Sequence, residues 1–267
     1  VQQFLMSLAD KSVAIARNEF SELQAFAADA LSIQSLEAWD VPFASEKLRE
    51  LKYAISQEEL KPYFPVDTVI SGMFNIVNRL YGIRVEKTDL PALWNDDVRF
   101  YTVYDSNDQI IAHFYFDLFA REGKRGGAWM STFVDQSHMY DTKPVIYNVL
   151  NIPKAAEGEP QLVSFDNVNT LFHEFGHALH GMLSEVTYPS LSGTSVARDF
   201  VELPSQLYEH WMTVPEVLNE FATHKDTGQP MPRELLEKVL AATTFNIGHD
   251  TVEYTTSALV DMAYHQQ

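Results

Sequence analysis

The stretch that most restricts this chain runs from Thr170 to His180, where His173-Glu174-Phe175-Gly176-His177 lies inside an apolar, helix-forming run. Two histidines four apart stand one helical turn apart on the same face. Both imidazoles can reach one cation, and Glu174 can face a water beside it. His-Glu-x-x-His on a helix is the pattern of a zinc hydrolase with a glutamate general base. On five residues alone, a surface helix with two histidines and an acid is the plainer reading. Leu171, Phe172, Phe175, Ala178 and Leu179 argue against it. A helix apolar nearly all round is a buried one, and polar groups buried in it need partners. A metal and its water supply them.

Zinc needs a third protein ligand and an open fourth position. His180 lies seven residues beyond His173, about 10.5 Å along a helix axis, too far to share one ion with it; it reads as a core histidine or as a support for the site. A third histidine ten residues after the first is also ruled out, because that position is Leu183. The better candidate is Glu202, in the segment from Ser195 to Met212. That segment reads as a second helix through Phe200, Val201, Leu203, Leu207 and Trp211, which Pro204 should kink or restart. Spacing alone leaves two readings of Glu202 open: a metal ligand, or an ordinary helix carboxylate paired with Arg198 four residues back.

Several stretches together resemble the thimet-oligopeptidase-like zinc metallopeptidases: Thr170 to Gly181, Ser190 to Ser195 and Arg198 to Gln206. Within that family Phe116 to Trp129, Lys143 to Leu150 and Val252 to Tyr254 are most similar to the bacterial peptidyl-dipeptidase (dipeptidyl carboxypeptidase) subgroup. The resemblance covers nearly the whole chain. It implies a mainly α fold with a small β-sheet, a thermolysin-like zincin catalytic domain of an oligopeptidase. It also implies one Zn2+ per chain on His173, His177 and Glu202, with Glu174 as the base. Family members run well beyond the equivalent of Gln267, where a His and Tyr cluster grips the substrate backbone and the oxyanion, and they carry a further N-terminal helical region. The resemblance is therefore to a catalytic-region fragment.

Composition sets outer limits. Acids outnumber bases 37 to 19, a formal charge of −18, which argues against a nucleic-acid partner and fits a solvated acidic surface. The absence of cysteine excludes disulfides and a cysteine-held zinc. No apolar run reaches the roughly 18 residues of a membrane span, and no signal peptide is visible. The expectation is a monomeric cytoplasmic protein acting on short peptides, without a membrane or nucleic-acid partner; a periplasmic one if a leader precedes the chain.

Along the chain, residues 3 to 30 read as one long helix or two, residues 40 to 43 as a turn around Pro42, and residues 45 to 56 as another helix. Residues 61 to 65 break the pattern, and 67 to 80 resume it. Val98 to Tyr104 and Ile110 to Phe119, separated by Asp105-Ser-Asn-Asp108, read as a β-hairpin. Ala128 to Val134 and Pro144 to Leu150 are further strands, and from about Phe165 the chain is again mostly helical. One partial catalytic domain results: helical over 1–90, a small sheet over 95–150, and helical with the zinc site over 165–267. The loop Gly123-Lys-Arg-Gly-Gly127 matches no phosphate-binding signature and reads as a tight turn between strands. The resemblance places it near the substrate cleft, which makes Gly127, Ala128 and Trp129 substrate-binding candidates. A sheet edge there could hold an extended peptide by strand addition, although sequence does not pick the edge. Arg198 and Asp199 are expected to position the Glu202 helix. His210, His224, His249 and His265 are scattered, and read as structural or exposed.

The reaction expected is zinc-dependent hydrolysis of oligopeptides with release of C-terminal dipeptides. The alternatives are endo-acting cleavage by the same chemistry, or a zinc-binding fragment without turnover. Cobalt or manganese can replace zinc at such ligands in vitro.

Overall fold

A computed structural model describes residues 1–90 and 92–266. Among them the helices are α1 (Gln2–Ala30), α2 (Val41–Tyr53), α3 (Gln57–Leu60), α4 (Val66–Tyr81), α5 (Phe165–Met182), α6 (Leu203–Glu209), α7 (Pro215–Phe221), α8 (Arg233–Ala242) and α9 (Ile247–His265). The strands, all between α4 and α5, are β1 (Arg84–Lys87), β2 (Arg99–Tyr104), β3 (Ile110–Phe119), β4 (Trp129–Val134) and β5 (Val145–Ile152). By contact the chain forms two compact units, residues 1–56 with 232–267 and residues 57–231. Among the described residues no helix is long and apolar enough to cross a membrane.

The first unit is helical. Leu23 and Ala27 of α1 pack with Ala44 and Leu48 of α2, and Phe26, Leu31 and Phe245 close over them. The expected turn around Pro42 is instead the first turn of α2, where proline is tolerated because its missing N–H has no helical partner to lose. The helix also stops earlier than expected, at Tyr53, with Ala54 left-handed at φ 49°. The Glu19 carboxylate on α1 accepts bonds from the Gly248 and His249 amides at 3.2 and 2.8 Å, which satisfies the start of α9.

The second unit is built on a five-stranded mixed sheet in the order β1-β2-β3-β5-β4. The expected hairpin is present: β2 and β3 are antiparallel, from Arg99↔Phe116 to Tyr104↔Ile110. The Asp105 carboxylate accepts from the Asn107 and Gln109 amides, both at 2.8 Å, and so closes the turn. β3 runs parallel to β5, and β4 returns antiparallel on the far side of β5. β4 is thus an edge strand. Helix α5 covers the sheet on β3, β4 and β5, and its Phe172 and Phe175 are fully buried, as are Phe114 and Phe116 on β3. Ser164 caps it, its hydroxyl accepting from the Asn167 amide at 3.2 Å.

The segment from Ser195 to Met212 is not one helix. Turns occupy its first part, α6 begins only at Leu203, and a short 3-10 turn follows over His210–Thr213. Pro204 restarts the chain as a helix, since it suits a first turn and not an interior. Glu202 is consequently the residue that caps α6, not one inside a continuous helix.

Candidate metal centre

Helix α5 presents His173, Glu174 and His177, and α6 is brought against it by a missing side chain. A Cβ placed on Gly176 would lie 2.6 Å from Ser205 Cα and 2.8 Å from the Pro204 carbonyl oxygen. Backbone meets backbone at this point, so Glu202, just ahead of Pro204, reaches the two histidines. Its Oε2 lies 3.3 Å from His173 Nε2 and 3.1 Å from His177 Nε2. The two rings stand nearly perpendicular, at 85°, with centroids 4.8 Å apart.

These three side chains offer one ligand atom each, all within 4.8 Å of one another. The donor set fits zinc. Ligands at about 2.0–2.1 Å in tetrahedral array stand roughly 3.3 Å apart, close to the two histidine-to-carboxylate spacings. Two imidazoles and one carboxylate also form a three-ligand set of the kind that leaves a fourth position open. Of the two partners left open by spacing, Glu202 meets the histidines, and among the described residues no ion pair joins it to Arg198. Ser205, fully buried, steadies it by sharing its one hydroxyl hydrogen between the Glu202 carbonyl at 2.9 Å and Oε2 at 3.0 Å.

Glu209, which the sequence reading does not single out, completes the support. Its Oε1 lies 2.6 Å from His173 Nδ1, and its Oε2 accepts from Asn169 Nδ2 at 3.3 Å. A carboxylate on Nδ1 holds the proton there and turns Nε2 toward the cluster. That hydrogen bond is also the main reason the His173 imidazolium is favoured, its pKa being raised. Glu209 is seven residues beyond Glu202, a spacing that points to it only once α6 is known to lie along α5. The expected supports behave otherwise: Arg198 and Asp199 are exposed in the turns before α6.

Glu174 is buried and makes no bond through Oε2 among the described residues. Burial is the main cause of a carboxyl pushed up to about 7; His173 opposes the shift, and Glu202 adds to it. Burial likewise lowers the His177 pKa, and its Nδ1 has no partner among the described residues. His180 plays no part in the cluster; its ring stands edge-on to Phe200.

A cleft of about 440 Å³ opens over these groups, lined by His173, Glu174, His177, Thr194, Val201 and Glu202 and, on one wall, by Ala128, Trp129 and Met130. Of the three substrate-binding candidates, Ala128 and Trp129 therefore face the cleft. Gly127 is not among its lining residues; it is the left-handed residue, φ 95°, from which that wall starts.

An His-Glu-x-x-His helix against a five-stranded sheet, met by a carboxylate from the cap of the next helix, is the arrangement of the metallopeptidase class. The chain belongs to peptidase family M3, whose model matches residues 1–267. It is 46% identical over 250 residues to a dipeptidyl carboxypeptidase of Salmonella typhimurium, covering 93% of this chain and 37% of that protein. It is 41% identical over 271 residues to oligopeptidase A of Escherichia coli, covering 100% of this chain and 40% of that protein. A plant relative, the organellar oligopeptidase A of Arabidopsis thaliana, is 40% identical over 274 residues, covering 98% of this chain and 35% of that protein. The chain thus spans somewhat over a third of the length of the curated relatives it matches.

Proposed function

We propose that this chain carries the catalytic centre of a thermolysin-like zinc peptidase, with zinc held by His173, His177 and Glu202 and with Glu174 as the general base. The observation that carries this reading is the approach of three ligand atoms to within 4.8 Å of one another, beside a buried carboxylate that has no bond of its own through Oε2. Bound there, zinc would supply Lewis acidity, acidifying a water and polarising a carbonyl oxygen.

The protein's own groups do the rest. The Glu209 carboxylate keeps the His173 proton on Nδ1, so that Nε2 stays free to ligate. Glu174 takes the proton from the attacking water and passes it to the leaving amine. Buried beside the cluster with Oε2 unengaged, Glu174 is placed to make both transfers. An extended peptide laid against the free edge of β4 would pair with backbone at Ala128 to Met130 and cross the cleft above the cluster.

For the substrate, we favour release of C-terminal dipeptides from short peptides, supported by the similarity to dipeptidyl carboxypeptidases. Endo-acting cleavage is the second reading, supported by the comparable similarity to oligopeptidase A. Peptides with free and amidated C-termini separate them: amidation stops dipeptide release and leaves endo-cleavage intact. The metal assignment is tested by zinc affinity in competition with a chelator. Glu202→Ala should lose well over 100-fold, more than the roughly 10–100-fold that follows loss of a group supporting a ligand. Unchanged affinity would mean that another group completes the site.

A further inference from the structure

The wall of the cleft at Ala128–Met130 has an unusual support. β4 does not pair with β3, the strand that precedes it, because β5 lies between them. The connection over residues 120–128 must therefore cross the end of β5 and deliver β4 in register without a hairpin to set it. A buried ion cluster and one amide side chain do this.

Asp117, buried near the end of β3, uses both carboxylate oxygens. Oδ1 accepts from Arg121 Nη1 at 2.6 Å and Lys124 Nζ at 2.9 Å; Oδ2 accepts from Arg121 Nη2 at 2.8 Å and Trp94 Nε1 at 3.0 Å. Lys124, its side chain only 4% exposed, also donates to the carbonyls of Asp117 at 3.1 Å and Phe119 at 2.8 Å. All three ammonium hydrogens are thereby used. Farther along, Asn151 Nδ2 donates to the carbonyls of Arg125 at 2.8 Å and Gly127 at 2.7 Å. The register Trp129↔Val149 puts Gly127 opposite Asn151, so this side chain continues the ladder where backbone pairing stops.

A buried ion pair adds little stability over well-packed apolar residues, so stability alone is a weak reason to bury a lysine here. What the cluster does is fix one path for the loop. We propose that Asp117, Lys124 and Asn151 are positioning residues that set the backbone of residues 127–130 as a preformed peptide-binding wall. This rests on the peptidase reading of the cleft. It assigns these residues to peptide affinity, separately from the zinc ligands and from Glu174.

The test compares Asn151→Leu and Lys124→Met with the unaltered protein, using a short peptide substrate, chelator competition for zinc, and amide hydrogen exchange. Asn151 is half-buried, so its substitution keeps the fold even if Lys124→Met does not, and thermal melting checks both. Amide exchange at residues 128–130 should accelerate. KM should rise about tenfold, the loss expected from one hydrogen bond's worth of positioning, with kcat changed less than KM. Zinc affinity should stay within twofold. Unchanged KM and exchange in folded Asn151→Leu would overturn the proposal, as would a parallel fall in zinc affinity. An unaltered protein that neither binds zinc nor cleaves peptides would overturn the peptidase reading, and this role with it.

Discussion

Asp117 and Glu174 are both buried carboxylates in the same compact unit, and their surroundings drive them apart. Burial alone would raise both. At Asp117 hydrogen bonds from Arg121, Trp94 and Lys124 overcome burial and hold the carboxyl at about 2. At Glu174 no bond to Oε2 offsets burial, and the carboxyl rises to about 7. The same contact weighs differently at its other end: burial keeps Lys124 below the usual lysine range even though Asp117 raises it. A carboxylate with every lone pair engaged is held fixed as a charge. One left partly unengaged can exchange a proton, and such groups gather where chemistry is done.

The contrast can be broken most sharply at Glu174. Glu174→Gln keeps the shape and removes the base, and kcat for peptide hydrolysis should fall about 10²–10⁴-fold while zinc content stays near one per chain. Activity retained at the unaltered level would remove Glu174 from the mechanism. A smaller effect is expected at Glu209, the carboxylate that faces the proposed ligand His173 and not the substrate. Glu209→Gln should weaken zinc binding by about 10–100-fold, measured against a chelator series. The mildest effect belongs to Asp117 and is read from how stability changes in acid. Its folded pKa lies below the ordinary value of 3.8, so its contribution to stability is complete above about 4 and fades as pH falls toward about 2. Melting temperatures taken across that window should drop more steeply for the unaltered protein than for Asp117→Asn; parallel curves would mean that the cluster is not what holds this carboxyl down.

Sequence made the helix of the opening motif legible because its signal is local: apolar residues on every face and two histidines at one-turn spacing. The β2–β3 hairpin was legible for the same reason, through β-branched and aromatic runs around an Asp-Ser-Asn-Asp turn. In the Glu202 segment the restart at Pro204 was legible, whereas the turns before it were not, because the apolar spacing continues through them. β1 carries too little pattern to stand out, four residues of which Arg84, Glu86 and Lys87 are charged. Glu209 and the Asp117 cluster are set by contacts between separate elements. Their partners lie 36 residues away for Glu209 and, through Trp94, 23 residues away for Asp117, beyond the reach of any spacing rule.

Gly176 makes the proposed metal site depend on an absence. The distance between α5 and α6 is set by a hydrogen where any other residue has a carbon, and the bite of His173, His177 and Glu202 is set by that distance. The position works as a gauge block between two machined parts. Its thickness appears in none of the three side chains, yet a single added methyl would force the gap wider and pull Glu202 from the histidines.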